Sequence, residues 1–355
     1  MGKVMAMRRA TEDELARWDE LVAANPDGGN AMQTRAWGDF KARWGWPAER
    51  LVYELPGSRL VAAQWLRREV PGVGTIWYCP KGPGVTNQKD YLEVVKQTRE
   101  AGLLSGIFAR FESEVLADEA DTARLRAAGL VRANRDPGMK STIFVDLAPG
   151  EEAVLASFKQ SCRRNIRKAE AAGVVVEPVT GTPDNLEVMF ELMRATEARA
   201  KYGLRPRNYF LDYWQSLIAA GQAQLFLARH EGEVLAGLFL TYVGQRGWYK
   251  DGGSFDKKRE MLAPYLVQWR VMQWQMQQGI TQYDLLGTPN RDKVGTGDPK
   301  DGLYTFKSKF NPEITEFIGC YDLPLAGELK YRLWRKVGER VAARLANRSP
   351  EKWLY

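Results

Sequence analysis

Histidine is almost missing from this chain: among its 355 residues there is one, His230. A Ser/His/Asp or Cys/His catalytic arrangement therefore exists only if that residue is the base, and its setting, LARHEGEV, is that of a strand-end turn. Cysteine is scarce too. Cys79, Cys162 and Cys320 lie far apart and form no CxxC pair, which excludes zinc knuckles and dithiol redox motifs and predicts reduced thiols in a cytoplasmic protein. No apolar run approaches the roughly 18 residues of a membrane span. The N-terminal MGKVMAMRRATEDEL breaks its short apolar stretch with charge, so no secretory leader is expected. Nucleotide-binding glycine loops and clusters of metal ligands are absent as well, and neither a cofactor nor a metal is expected.

What is present is an ordinary globular composition, 45% hydrophobic, 27% charged and 11% aromatic, of a length that predicts two domains. Lys and Arg number 51 against 44 Asp and Glu, a net charge of +7 that favours a polyanionic partner.

An internal repeat organises the chain. Residues 51–66, LVYELPGSRLVAAQWL, and 225–240, LFLARHEGEVLAGLFL, both read as two apolar strands flanking a glycine-containing turn. Each is followed by an aromatic strand, with Trp77-Tyr78 in one copy and Trp248-Tyr249 in the other. Next comes a helix, holding Tyr91-Leu92 or Tyr265-Leu266 and stopping at Gly102 or Gly279. A further strand then closes each copy, at 107–112 and 281–287. Between the copies, Phe158, Cys162, Ile166 and Ala169 recur at helical spacing before Gly173 and a Val-rich strand. Lys159, Arg163, Arg164, Arg167 and Lys168 fall on the opposite face, as phosphate ligands or as a solvated basic surface. The tail 329–345 reads as a basic amphipathic helix with Leu333, Val337, Val341 and Leu345 along one stripe, suited to anionic lipid, to RNA or to packing on the first domain.

Hairpin, strand, helix and strand in that order form the core plan of the acetyltransferase-like fold. The chain is thus expected to be α/β, with two tandem acetyltransferase-like (GNAT) domains of mixed sheets flanked by helices. Domain 1 is placed at 1–147 and domain 2 at 148–317. In coenzyme A-dependent members of that fold a glycine-rich loop opens the central helix and cradles pyrophosphate. Here the corresponding segment is KREMLAP, 258–264, where Met261 and Leu262 replace open glycine backbone. An already activated donor that is not acetyl-CoA, such as a tRNA-borne aminoacyl ester, meets this constraint and the basic charge.

The sequence then resembles the FemABX peptidyltransferases along almost its whole length, in the shorter, FemX-like form without a helical arm. The motifs that carry the resemblance are Gln33-Thr-Arg-Ala-Trp37, Tyr78-Cys-Pro-Lys-Gly-Pro83, the basic helix 158–173, Arg205-Pro-Arg207-Asn-Tyr209-Phe210, Tyr249-Lys-Asp-Gly-Gly-Ser254, Tyr283-Asp-Leu-Leu-Gly287 and Gly302-Leu-Tyr-Thr-Phe306-Lys307-Ser-Lys-Phe310. The resemblance implies twin acetyltransferase-like domains, the first completed by the C-terminal end, 318–355, and transfer of an amino acid from aminoacyl-tRNA to the stem-peptide amine of a peptidoglycan precursor. The acceptor would be UDP-MurNAc-pentapeptide or a lipid-linked precursor. A cytoplasmic monomer is expected, with peripheral contact at the inner face of the plasma membrane and no DNA partner.

By motif, Arg35 and Trp37 would meet the phosphate end of the acceptor, with Arg205 as a second phosphate ligand and Tyr209 beside it. Tyr249 and Phe306 would line the substrate site. Lys307 would stabilise the oxyanion, and Glu112 would act as base or amine anchor. Asp284 reads as a strand-end brace, and Asp251 as a weaker acidic candidate. Two alternatives stand beside this reading: an acyl-CoA-dependent N-acyltransferase, and a non-catalytic RNA- or precursor-binding module.

Overall fold

The turn Glu231-Gly232 links its two strands with positive φ at both residues, 50° and 81°, the two-residue hairpin geometry whose twist matches that of the flanking strands. In the computed structural model, which describes residues 7–70, 74–200 and 203–338, the strands run in chain order as follows. First come β1 (Arg8–Arg9), β2 (Ala48–Leu55), β3 (Arg59–Val70), β4 (Gly74–Cys79), β5 (Phe108–Phe111) and β6 (Val131–Arg132). These are followed by β7 (Ser141–Thr142), β8 (Phe144–Asp146), β9 (Val175–Val179), β10 (Ala223–His230), β11 (Glu233–Val243), β12 (Arg246–Ser254), β13 (Gln282–Asp284), β14 (Thr315–Glu316) and β15 (Tyr321–Pro324).

Two compact units result, Met1–Lys140 with Glu316–Tyr355, and Ser141–Thr315. Unit 1 holds a sheet of order β1-β2-β3-β4-β5-β15-β6, and unit 2 one of order β8-β13-β12-β11-β10-β9. Both sheets are mixed: β4 runs parallel to β5, β12 parallel to β13, and the other pairs described are antiparallel. The division falls earlier than the expected 147/148, because β8 pairs with β13 and so belongs to the second sheet.

In β10 the run Leu225–Ala228 is buried on both faces, so it is continuously apolar where a half-exposed strand would alternate. Helix Gln160–Ala171 buries Cys162, Ile166 and Ala169 on one face, as its spacing predicts. Helix Ala263–Gln277 buries Leu266, Val267, Trp269, Val271 and Met272, apolar around most of its girth as a central helix requires.

Where the chain returns into unit 1, β15 pairs with β5 and β6, and a buried ion pair spans the β5 pairing. Arg110 in β5 stands directly opposite Asp322 in β15, and its Nε and Nη2 donate to the two carboxylate oxygens at 2.7 and 2.9 Å. Both side chains are 1% exposed, and the Tyr331 hydroxyl donates to Asp322 Oδ2 at 2.9 Å.

Beyond β15 the chain forms a short helix, Glu328–Leu333, and a wider π-type turn, Trp334–Gly338. The apolar stripe predicted through Leu333 is not the buried one. Leu333 is exposed, whereas Tyr331 and Trp334 are buried and pack on Phe108 at ring separations of 6.0 and 5.6 Å. Two large rings three residues apart bury more apolar surface than a leucine stripe, which selects that face. Val341 and Leu345 lie outside the described residues.

Candidate active site

The site in unit 2 begins where two parallel strands part. β12 and β13 pair only from Arg246 to Trp248 against Gln282 to Asp284, after which β12 continues to Ser254 paired with β11 but no longer with β13. A bulge at Lys250, where Leu240 faces Tyr249 and Phe239 faces Asp251, re-aims the side chains along this stretch. Gly252 permits the arrangement, since a Cβ there would lie 2.1 Å from the Tyr249 hydroxyl.

On the β13 side the chain turns through Leu286 and Gly287, both at positive φ, 52° and 41°. Asp284 holds that turn: its buried Oδ1 accepts from the Leu286 N–H at 2.7 Å and from the Thr142 hydroxyl. The brace expected of Asp284 is therefore what it provides. The turn presents the carbonyls of Leu286 and Gly287 to Lys307, whose Nζ donates to both, the latter at 3.0 Å.

Lys307 ends the helix Asp301–Lys307, is 3% exposed, and lies 5.5 Å from the centre of the Tyr249 ring. Burial drives its ammonium down to about 7, with Asp284 opposing and Lys300 adding to the shift. Phe306 is half-buried and packs on Tyr265 at 5.0 Å and on Phe310 at 5.4 Å. Lys309 donates to the Tyr265 hydroxyl at 2.6 Å. Tyr249, Phe306 and Lys307 are thus brought together by β12, the 285–288 turn and one short helix.

Arg205 and Tyr209 also meet, the guanidinium lying 4.6 Å over the ring just before and within the helix Arg207–Ala219. The same helix reaches β12 through Trp214, whose indole N–H donates to Asp251 Oδ2 at 3.0 Å. Burial raises the Asp251 pKa. A carboxylate held by an indole in this way is a structural brace.

The unit 1 residues are placed differently. Arg35 is the exposed first residue of the helix Arg35–Arg43, its N–H donating to Asp19 Oδ1 at 2.7 Å. Trp37, expected to touch the acceptor, is 7% exposed and packs edge-on against Phe40, so it offers a substrate little surface. Glu112 follows β5 and is buried, its Oε2 accepting from the Tyr78 hydroxyl and its Oε1 3.2 Å from Lys81 Nζ. Lys81 also donates to the Met139 carbonyl at 3.0 Å. This buried pair escapes sequence reasoning, although Lys81 stands in the Tyr78–Pro83 motif.

Of the basic helix face, Arg163 donates to the Ala156 and Phe158 carbonyls at 2.6 and 2.8 Å. Arg163 and Arg167 line an open cleft together with Glu151, Glu152 and Glu170. That mixture of signs suits a solvated face better than a phosphate track. Among the described residues no group of acids, histidines and cysteines could hold a metal ion, and no helix is long and apolar enough to cross a membrane.

In the segment 258–264 two amides close turns, Met261 N–H donating to Lys258 O at 3.0 Å and Leu262 N–H to Arg259 O at 3.1 Å. Lys258 and Leu262 take positive φ, 53° and 56°, at positions where no glycine stands.

Comparison with known proteins finds relatives over most of the chain. The FemAB family profile matches residues 138–231 and 219–337. The chain is 27% identical over 330 residues to the UDP-N-acetylmuramoylpentapeptide-lysine N(6)-alanyltransferase of Weissella viridescens, covering 89% of this chain and 95% of that protein. It is 23% identical to the lipid II:glycine glycyltransferase of Staphylococcus aureus strain MRSA252, covering 91% and 94%. The crystal structure of FemX superposes with a TM-score of 0.79 at 21% identity, covering 94% of this chain and all of that one.

Proposed function

This chain belongs to the FemAB family, and on that premise we propose that it is an aminoacyltransferase of interpeptide-bridge formation, moving an amino acid from aminoacyl-tRNA to the stem-peptide amine of a peptidoglycan precursor. The two relatives above, named for alanyl and glycyl transfer to such precursors, support the acceptor class. The observation that carries the reading is the buried Lys307, held by two backbone carbonyls at the parting of β12 and β13.

In the proposed reaction the acceptor amine forms a bond to the ester carbonyl carbon. The ester C–O bond breaks, and the ribose oxygen leaves with the proton that the amine gives up. The negative charge that builds on the carbonyl oxygen is met by the Lys307 ammonium, with Tyr249 and Phe306 lining the place of the ester. Asp284 positions Lys307 by fixing the turn that holds it. Glu112 is assigned as base or amine anchor, its carboxylate held between the Tyr78 hydroxyl and Lys81. Trp37 acts behind Arg35 as packing.

Because the ammonium is the form that donates to an oxyanion, kcat/KM should fall as pH rises through about 7. That alkaline limb should vanish in Lys307→Met. A limb that persists in the variant would remove Lys307 as its source.

Arg205 and Arg35 are each assigned to acceptor phosphates. A charge-assisted contact is worth roughly 1.5–3 kcal/mol, so Arg205→Ala should raise the acceptor KM by about one to two orders of magnitude and leave the donor KM nearly unchanged. Arg35→Ala is measured the same way, and unchanged acceptor affinity in either would remove that residue from the site.

The donor is tested by competition. Charged tRNA, offered together with acetyl-CoA, should be the species consumed in the presence of nucleotide-linked pentapeptide. Consumption of acetyl-CoA instead would favour the acyl-CoA reading.

A further inference from the structure

The most exposed large apolar side chains on the described surface, Leu329 at 82% and Leu333 at 64%, lie one helical turn apart on the helix Glu328–Leu333. Single exposed leucines are common and mean little. Here the opposite face is anchored, with Tyr331 and Trp334 buried against Phe108, so the leucines are held outward. Lys330, Arg332 and Lys336 are exposed on the same segment.

We propose that this face, Leu329 to Lys336, docks on the surface of an anionic lipid bilayer. The leucines would enter the acyl boundary while the lysine and arginine stems let their charges reach lipid phosphates. Cations alone would serve RNA equally well, and leucines alone a protein groove. Their interleaving over a single outward face fits a charged interface with an apolar interior. Vesicle binding is independent of the transferase reading. Only its consequence, access to a lipid-linked acceptor, rests on that reading.

The full chain is sedimented with vesicles of phosphatidylcholine alone and of phosphatidylcholine and phosphatidylglycerol in equal parts. Binding is expected to the anionic vesicles alone, weakened by about tenfold or more in Leu329→Ser/Leu333→Ser and separately in Lys330→Glu/Lys336→Glu. Thermal melts should match the parent, because the substituted side chains are exposed. Absence of binding to anionic vesicles, or undiminished binding by the serine variant, would overturn the assignment. So would variants that keep their lipid affinity but lose affinity for uncharged tRNA, which would make RNA the occupant. Transfer to soluble nucleotide-linked pentapeptide should be the same in parent and variants. Its absence from the parent would count against the transferase reading and leave the lipid face standing.

Discussion

Lys307→Met should lower single-turnover transfer by about two to three orders of magnitude, the usual loss when a donor to a developing oxyanion is removed. The substitution keeps the stem and deletes the charge. The carbonyls of Leu286 and Gly287, which the ammonium now satisfies, would be left facing an apolar side chain, so a thermal melt must accompany the rate. Two observations separate chemistry from structure. Acceptor affinity should stay near the parent value, because no phosphate ligand is touched. Asp284→Asn should reproduce a smaller loss and shift the alkaline limb of the pH profile, since Asp284 both braces the turn and opposes the lowering of the lysine's pKa. Full turnover in Lys307→Met, measured at saturating donor and acceptor, would reduce the residue to a buried strut.

The second large effect is on stability. Arg110→Met leaves Asp322 buried with its Tyr331 hydrogen bond but without its countercharge, a situation that costs about 3–5 kcal/mol. For a unit of this size that corresponds to a fall of roughly 10 °C in the melting temperature. Most of the loss should return in Arg110→Met/Asp322→Leu, because replacing both charges by apolar groups removes the desolvation penalty along with the attraction. Equal melting temperatures for parent and Arg110→Met would show that β15 is held by its backbone pairing alone.

The repeated hairpin, strand, helix and strand were legible because each rests on local signals: apolar runs of strand length, a glycine-containing turn such as Glu231-Gly232, and glycine stops at Gly102 and Gly279. The site was partly legible. Resemblance marked Tyr249, Phe306 and Lys307; Lys307 lies 5.5 Å from the Tyr249 ring centre, and Phe306 packs on Tyr265 and Phe310. What makes Lys307 unusual is its burial under a turn supplied by residues 284–287, which no spacing around Phe306-Lys307 encodes. Arg110 and Asp322 are 212 residues apart in sequence, and only sheet register makes them a pair. In the tail, a regular helical period put Leu333 on an apolar stripe that could meet lipid, RNA or the first domain. The burial of Tyr331 and Trp334, followed by a π-type turn, set a different face. Trp37 is 7% exposed and packs against Phe40, a setting that a substrate motif in the sequence does not reveal.

The proposed reaction passes an aminoacyl group from an ester donor to a cell-wall precursor at the Lys307 site. The direct measurement is the mass of nucleotide-linked pentapeptide after incubation with purified protein and a set of singly charged tRNAs, run in parallel with Lys307→Met. A product heavier by one amino-acid residue is expected with at least one of the tRNAs, formed by the parent and nearly abolished in the variant. An acceptor whose mass is unchanged with every charged tRNA, while the protein acylates it from acetyl-CoA or binds it without reaction, would contradict the account.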